Sequence, residues 1–560
     1  MSLSKILDIK SFRPDKILCV ALIIGLIFCL YGITWTQGHP DDMAFRPLFI
    51  AGKKPFNPGW FHKPPFHTYF NYFLSTLPIE TIGRWFNFSP GNIDFAKTVW
   101  SRVLTSILFL ISVSLVFQVV LKSFGIFSAR IVALIFATSA GFIAYSHFLT
   151  SDIPVMFWML LAFYFSINIL IRAKLSDSLL AGFFTGIATA TKYNGLAIGI
   201  SIAAAHFLSY SSNSWKSIDW KQLFLSKKIY LGLSMVVVGF VVGNPFSVLD
   251  FQTFKNDFVY NYMVTPVYDG QTGHSYLSFF WHVLEVIGLP SFIFCLAAIG
   301  YSAVALIGKK QRIRTGTILL SLSVLLLYYY KFASFPRLET RFVLPLVPFF
   351  LIISGALWNQ IKEKKIVVFI LAFIIIGYNI ACDFYVGSRF LNDPRTHLLS
   401  WAKENIPENS SIEIDPYTPS LADSARKNLQ ETPTPNVSGR ERIFAKAFNN
   451  DPFIVGTEDL KKEEERVAWY SLQQLLKRNP EYMGLNSLYY DRFTEPGLKQ
   501  DLYPTMNDYF QKLLGEQYPY KIVFDEKSKY APKWVYPREI DFLYNRVTIL
   551  AREDSVLKTH

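Results

Sequence analysis

The chain has 560 residues, of which 51% are hydrophobic and only 17% charged, with 51 Phe, 30 Tyr and 12 Trp. Soluble globular proteins carry about a quarter of their residues as charge, so this composition excludes a disordered chain, a disulfide-rich secreted module and an ordinary cytosolic enzyme. The net charge of +13 is unevenly placed: residues 386–560 hold 24 basic and 26 acidic residues, whereas 1–385 hold 31 basic and 16 acidic ones. The positive excess thus lies in the apolar part, as the positive-inside rule expects. No basic face on a polar domain points to nucleic acid.

Taken in chain order, apolar stretches long enough to cross a hydrocarbon core of about 20 helical residues fall near 16–36, 99–121, 126–146, 153–172, 178–191, 194–210, 229–249, 281–307, 315–333, 341–359 and 365–385. The first is too long for a signal peptide and lacks a small-residue cleavage site. Lys5, Lys10, Arg13 and Lys16 precede it, which predicts a cytoplasmic N-terminus. Eleven crossings then bring every densely basic short loop to the cytoplasmic side, including Lys216–Lys228, Lys309–Arg314 and Lys362–Lys365. The outer side receives a long first loop (37–98), the turn at 147–152, the loop at 250–276, the segment 334–341 and the whole C-terminal region. Residues 66–86 predict an amphipathic helix lying in the membrane interface. Cys19, Cys29, Cys295 and Cys382 all sit in apolar runs and read as packing residues.

The character of the chain changes at Asp393-Pro394. Beyond it the sequence is polar and rich in turn signals, with amphipathic helical stretches and β-rich ones at Tyr520–Phe524 and Arg546–Leu550. This predicts two domains: a transmembrane one (1–385) and a soluble extracytoplasmic mixed α/β one (386–560), of ordinary domain size.

Ionisable groups at membrane depth cost about 3 kcal/mol each at a helix centre and therefore mark function. Under this topology Asp41, Asp42, His62, Lys63, Asp152, Lys192, His274, Arg337, Glu339 and Arg341 all fall at the outer ends of spans. Asp152, followed by Pro154, also suits a helix cap. No phosphate-binding glycine loop, HExxH or GxSxG occurs, so the chemistry is that of carboxylates and cations acting on a substrate whose energy is stored in a bond.

His39-Pro40-Asp41-Asp42, Asn57-Pro58 and His62-Lys63-Pro64-Pro65-Phe66 together resemble the first external loop of GT-C membrane glycosyltransferases. The nearest branch holds protein O-mannosyltransferases and the lipid A aminoarabinose transferase. Ser151-Asp152-Ile153-Pro154, Gly186 through Thr191-Lys192, Arg341-Phe342-Val343-Leu344-Pro345, Asp393-Pro394-Arg395 and Tyr536-Pro537-Arg538 follow in the family's order. The resemblance implies a GT-C-type polytopic helical protein of about 11 transmembrane helices in the bacterial inner membrane, with its active site facing the periplasm. It implies that a sugar moves from a polyprenyl phosphate to an acceptor hydroxyl on a protein, lipid or envelope glycan, with inversion. It further implies Asp41 as the base, Asp42 as a neighbour that orients it or contacts substrate, and Lys63, Arg341, Lys192 and Arg337 as cations for the donor phosphate. The resemblance implies Asp152 as an acid that shapes the donor site or helps hold a divalent ion. Where some relatives carry an acidic residue this chain has His62, which with His274 and an aspartate offers a site for a divalent metal ion. The competing reading is a multi-pass transporter or lipid flippase, which predicts polar residues at the bilayer midplane and repeat symmetry.

Overall fold

The computed structural model describes residues 15–38, 42, 44–210, 221, 225–264, 276–308, 312–334, 338–421, 429–432, 465–496, 500, 503–527, 532, 534–536 and 546–556. Asp41, His274 and Arg337 lie outside them.

Helices dominate up to residue 405. They are α1 (Lys16–Leu30), α2 (Pro90–Phe124), α3 (Ile126–Ala137), α4 (Ala140–Ser146), α5 (Asp152–Arg172), α6 (Leu175–Thr191), α7 (Gly199–Tyr210), α8 (Lys227–Gly243), α9 (Phe251–Val264), α10 (Tyr276–Ile287), α11 (Leu289–Gly308), α12 (Arg312–Ala333), α13 (Val347–Ile361), α14 (Lys365–Leu391) and α15 (Pro394–Asn405). Local chemistry sets several starts. Asp15 caps α1 through the amides of Ile17 and Leu18, Ser89 precedes Pro90 at the head of α2, and Asp393 precedes Pro394 at the head of α15.

This is a helical membrane protein. Helical structure occurs on each of the eleven apolar stretches, but among the described residues only five helices are long and apolar enough to cross a membrane, or six if the bent pair α3–α4 is one span. The difference from the expected eleven has local causes. The chain turns by 52° between α3 and α4, around Thr138 and Ser139. Gly288, at φ +76°, and Pro290 interrupt the run from Tyr276 to Gly308, and α6 and α8 have 17 residues each. The spans Asp152–Arg172 and Thr340–Ile361 are the most enclosed, whereas α14 shows Ile366, Phe369, Phe373 and Ile374 to its surroundings, as a lipid-facing helix does. Residues 66–85 are helical throughout, with a π-helical turn at Tyr72–Thr76, and expose Phe73, Leu74, Leu77, Ile82 and Trp85.

Two helices cross without side chains between them. A Cβ on Gly182 would stand 1.9 Å from the Gly232 carbonyl oxygen, and one on Gly186 2.2 Å from that of Val236. The Gly182–Gly186 spacing is the small-residue pattern that lets backbones meet. It sets the position of the outer end of α6, which carries Lys192.

The C-terminal region holds a small mixed sheet of β1 (Ile412–Ile414), β2 (Leu429–Glu431), β3 (Tyr482–Asn486), β4 (Tyr520–Lys527) and β5 (Arg546–Arg552), in the order β2-β1-β3-β5-β4. β1, β2 and β3 are parallel, while β5 runs antiparallel to both β3 and β4. Strand alternation splits its side chains between two layers. Tyr482, Val547 and Ile549 pack with Leu398 and Ala402 of α15; Met483, Leu485 and Leu550 pack with Tyr489, Phe493, Tyr509 and Phe510 on the other face. Tyr489 and Tyr490 are core residues, whereas Trp534 is half exposed.

Candidate active site

Two carbonyl-rich stretches of the first loop reach the bundle, and arginines organise both. Arg102, fully buried in α2, donates to the backbone carbonyls of Ile33 (2.9 Å), Trp35 and Gln37 (2.8 Å). From the opposite side Arg395 pairs with Asp393 at 2.6 Å and donates to the Gly38 carbonyl at 3.3 Å, while Asp393 accepts from the Trp35 indole at 2.8 Å. The Trp35 ring lies between the two guanidiniums, 4.9 Å from Arg102 and 5.4 Å from Arg395. Residues 33–38 are therefore clamped between a spanning helix and the first residues of the C-terminal region, directly before His39 to Asp42.

Asp42 is partly buried. Its carboxylate accepts from the Leu149 amide at 2.8 Å, and the Leu149 carbonyl meets His67 Nε2 at 3.1 Å. Both backbone groups of Leu149, in the turn before α5, are thus tied to the first loop.

The turn Trp60–Lys63 is held on three sides. Arg46 stacks on Trp60 at 4.2 Å and donates to the carbonyls of Trp60 (2.8 Å) and Lys63 (3.3 Å). Tyr193 donates to the Phe61 carbonyl at 2.7 Å, and Asp257 of α9 accepts from the Phe61 amide at 2.6 Å. The other oxygen of Asp257 stands 3.6 Å from His62. Burial pulls the His62 imidazole below its ordinary range, with Asp257 opposing and Arg46 reinforcing the shift. Upstream, Asp250 accepts from Asn57 (2.8 Å) and Lys53 (3.2 Å), and these bonds with that of Thr253 hold its carboxyl down at about 2.

Asp152 opens α5 as expected, but its side chain does not cap it. The carboxylate, 2% exposed, instead meets Lys192 Nζ at 2.5 Å. A buried ammonium offers far more than an amide N–H, which is why the cap is forgone. Arg341 lies within electrostatic range of both partners, and Lys63 within range of Lys192. The Phe342 ring sits between the cations, 5.1 Å from Lys192 and 5.4 Å from Arg341, and Arg341 is itself paired with Glu339. Behind Arg341, Thr340 donates to buried Glu285 at 2.7 Å and meets His282 Nδ1 at 2.8 Å, while the Trp281 indole donates to Glu285 at 3.0 Å.

The structure thus brings together Lys63, Asp152, Lys192 and Arg341, with Asp42 tied to the turn that leads into Asp152. His62 goes to Asp257. Among the described residues no group of three His, Cys, Asp or Glu side chains is placed to hold a metal ion, so no chemical step is assigned to one. Arg46, Arg102, Glu285 and Asp257 were not singled out in the sequence. Arg102 and Glu285 carry a readable signal, an ionisable residue inside an apolar run; Arg46 and Asp257 carry none.

Residues 95–243, from within α2 to the end of α8, match the family model described as dolichyl-phosphate-mannose-protein mannosyltransferase. That stretch is similar to the mannosyltransferase family. It contains Arg102, Asp152 and Lys192, and it agrees with the GT-C resemblance read from the motifs. The family is one of glycosyltransferases that use lipid-phosphate-linked sugars. No curated protein matches the chain by sequence. Among solved structures the chain is similar to the ArnT of Cupriavidus metallidurans in the apo state (13% identity, 96% of this chain and 98% of that chain, TM-score 0.49) and bound to undecaprenyl phosphate (12%, 98% and 98%, 0.48). It is also similar to the Archaeoglobus fulgidus oligosaccharyltransferase AglB in complex with an inhibitory peptide and a dolichol-phosphate (15%, 96% and 75%, 0.45). These are distant likenesses of overall shape.

Proposed function

We propose that the protein is an integral-membrane glycosyltransferase that moves a sugar from a polyprenyl phosphate to an acceptor hydroxyl at the outer membrane face. In this reading it has eleven crossings and a cytoplasmic N-terminus; residues 1–385 form the membrane domain and 386–560 an extracytoplasmic one. The supporting observation is the gathering of Lys63, Lys192 and Arg341 around Asp152, at the mouths of the two most enclosed spans. A leaving phosphate needs such a field, because charge stabilisation is usually the largest catalytic contribution.

The chemistry is a single displacement. Asp41 accepts the hydroxyl proton while the acceptor oxygen attacks the anomeric carbon, and Asp42 holds that part of the loop against the Leu149 amide. The bond from the anomeric carbon to the phosphate oxygen breaks with its electron pair, releasing polyprenyl phosphate and inverting the centre. Lys63 and Arg341, backed by Lys192 and Arg337, balance the charge on the departing phosphate. Asp152 keeps Lys192 oriented towards the site. An aspartate with an ordinary pKa near 3.9 is ionised and ready for this role.

The test supplies purified protein with polyprenyl-phosphate sugars and an envelope-glycan acceptor. Asp41→Asn should abolish transfer, and Lys63→Ala should raise the donor concentration needed. Full transfer by Asp41→Asn removes Asp41 from its role. Passage of intact donor across vesicles without transfer would favour the transporter or flippase reading.

A further inference from the structure

The end of the bundle opposite Asp152 and Arg341 holds a second cluster of cations. A pocket of about 490 Å³ lies between the last turn of α2 and the first turn of α12, lined by Leu121, Lys122, Ser123, Phe124, Gly125 and Arg312–Arg314. Two other cations at this end are neutralised by the fold: Arg130 pairs with Asp15 at 2.7 Å, and Arg172 with buried Asp177 at 2.9 Å. The three in the pocket are treated differently. Lys122 donates to the Asn168 amide oxygen at 2.8 Å and lies 3.9 Å over the Tyr164 ring. Arg312 donates to the carbonyls of Leu208 and Ser209 at the end of α7. Arg314 stands 3.3 Å from the side-chain amide of Asn359, which accepts from it once the amide is turned to point its nitrogen at the Phe124 carbonyl. All these partners are neutral, and no described carboxylate pairs with any of the three cations.

Three uncompensated charges converging on one cavity form a field that an anion relieves. Gly125, at φ +94°, opens the wall: nothing lies within 4 Å of where its Cβ would be, and no side chain caps the α3 amides that follow. Those amides add donors of the kind that bind phosphate. Leu121, Phe124 and Ile313 supply an apolar rim at the level where the spanning helices end. A soluble anion has no use for such a rim, whereas a lipid has. We propose that this pocket seats the phosphodiester of an anionic phospholipid headgroup, with its glycerol and first acyl carbons against the rim. Basic pockets between spanning helices take such headgroups. The inference is independent of the reaction proposed for the other end.

The experiment follows thermal unfolding of the full chain in a zwitterionic detergent as phosphatidylglycerol or phosphatidylcholine is added. Phosphatidylglycerol should raise the melting temperature saturably and phosphatidylcholine should not. Lys122→Gln and Arg314→Gln should each raise the half-saturating phosphatidylglycerol fraction about fivefold, the effect of one basic residue near an anionic surface, and Arg314→Lys should largely restore it. Should Arg314→Gln fail to fold, Lys122→Gln carries the comparison, since among the described residues its amine makes one hydrogen bond, to the Asn168 side chain. An equal response to the two lipids, or variants that respond like the parent, would overturn the proposal. Inorganic phosphate that alone produces the full shift and removes the response to phosphatidylglycerol would overturn the lipid assignment.

Discussion

Asp152 and Lys192 meet at 2.5 Å in surroundings that leave the carboxylate only 2% exposed. Deleting one partner strands the other's charge, a loss of about 3–5 kcal/mol, whereas replacing both with apolar groups of similar volume is often close to neutral. Asp152→Ala should therefore lower stability by about 3–5 kcal/mol in denaturant titration, and Asp152→Leu with Lys192→Met should recover most of it while transfer stays lost. A double variant that regains transfer would mean that the pair is structural only. Asp250 gives the pH signature. Its carboxyl is held at about 2, against an ordinary 3.8, by Asn57, Thr253 and Lys53. Between these values the unfolded chain binds the proton more readily, so the stabilisation is fully present above about pH 4 and lost as pH falls through 2. Hydrogen exchange at Gly59, whose amide bonds Asn57, should quicken in that window. In Asp250→Asn the pH dependence should vanish.

Elements carry these side chains, and two junctions decide where they stand. The clamp of Arg102, Trp35, Asp393 and Arg395 fixes residues 33–38 without touching Lys63 or Lys192. Small misplacements of reacting groups can lose about a hundredfold in rate. Arg395→Ala should thus lower kcat by about that factor with the donor KM little changed, and Arg395→Lys, which cannot span both Asp393 and Gly38, should rescue only part. A matching rise in KM would instead mean that the clamp builds the donor site. The α6–α8 crossing is the second junction. Gly186→Leu must push backbones apart, since a Cβ alone would lie 2.2 Å from the Val236 carbonyl. Overpacking of this kind destabilises by about 1–3 kcal/mol; thermal unfolding should show that loss, and displacement of Lys192 should weaken transfer further.

At the scale of the whole molecule, enclosed spans carry a charged site at one end and a basic pocket at the other, and the C-terminal region is held to the helices by non-covalent contacts as well as by the chain itself. Val535 is buried against the helical core, the Trp534 carbonyl accepts from Tyr378, and Tyr536 packs on Trp281. Much of this plan was legible in the chain. Apolar runs, helix caps and the strands around Tyr520–Phe524 and Arg546–Leu550 are local patterns, because burial in lipid or in a two-faced sheet imposes a fixed period on neighbouring residues. That Asp152, Lys192 and Arg341 stand at ends of apolar runs was legible too, since hydrophobic length marks where a run stops. Partnerships were not. In the sequence Asp152 suits both a helix cap and a site acid, and which partner it takes, a lysine forty residues on, is not written there. Arg102 passed as one residue of an apolar stretch, although it holds three carbonyls of the first loop. The sequence by itself determined a helical membrane protein with a polar mixed domain and charged span ends, because those follow from the solvent each stretch requires. Only the tertiary structure decided which charge meets which, because a buried ion pair is chosen by the three-dimensional meeting of distant segments, to which no local period is sensitive.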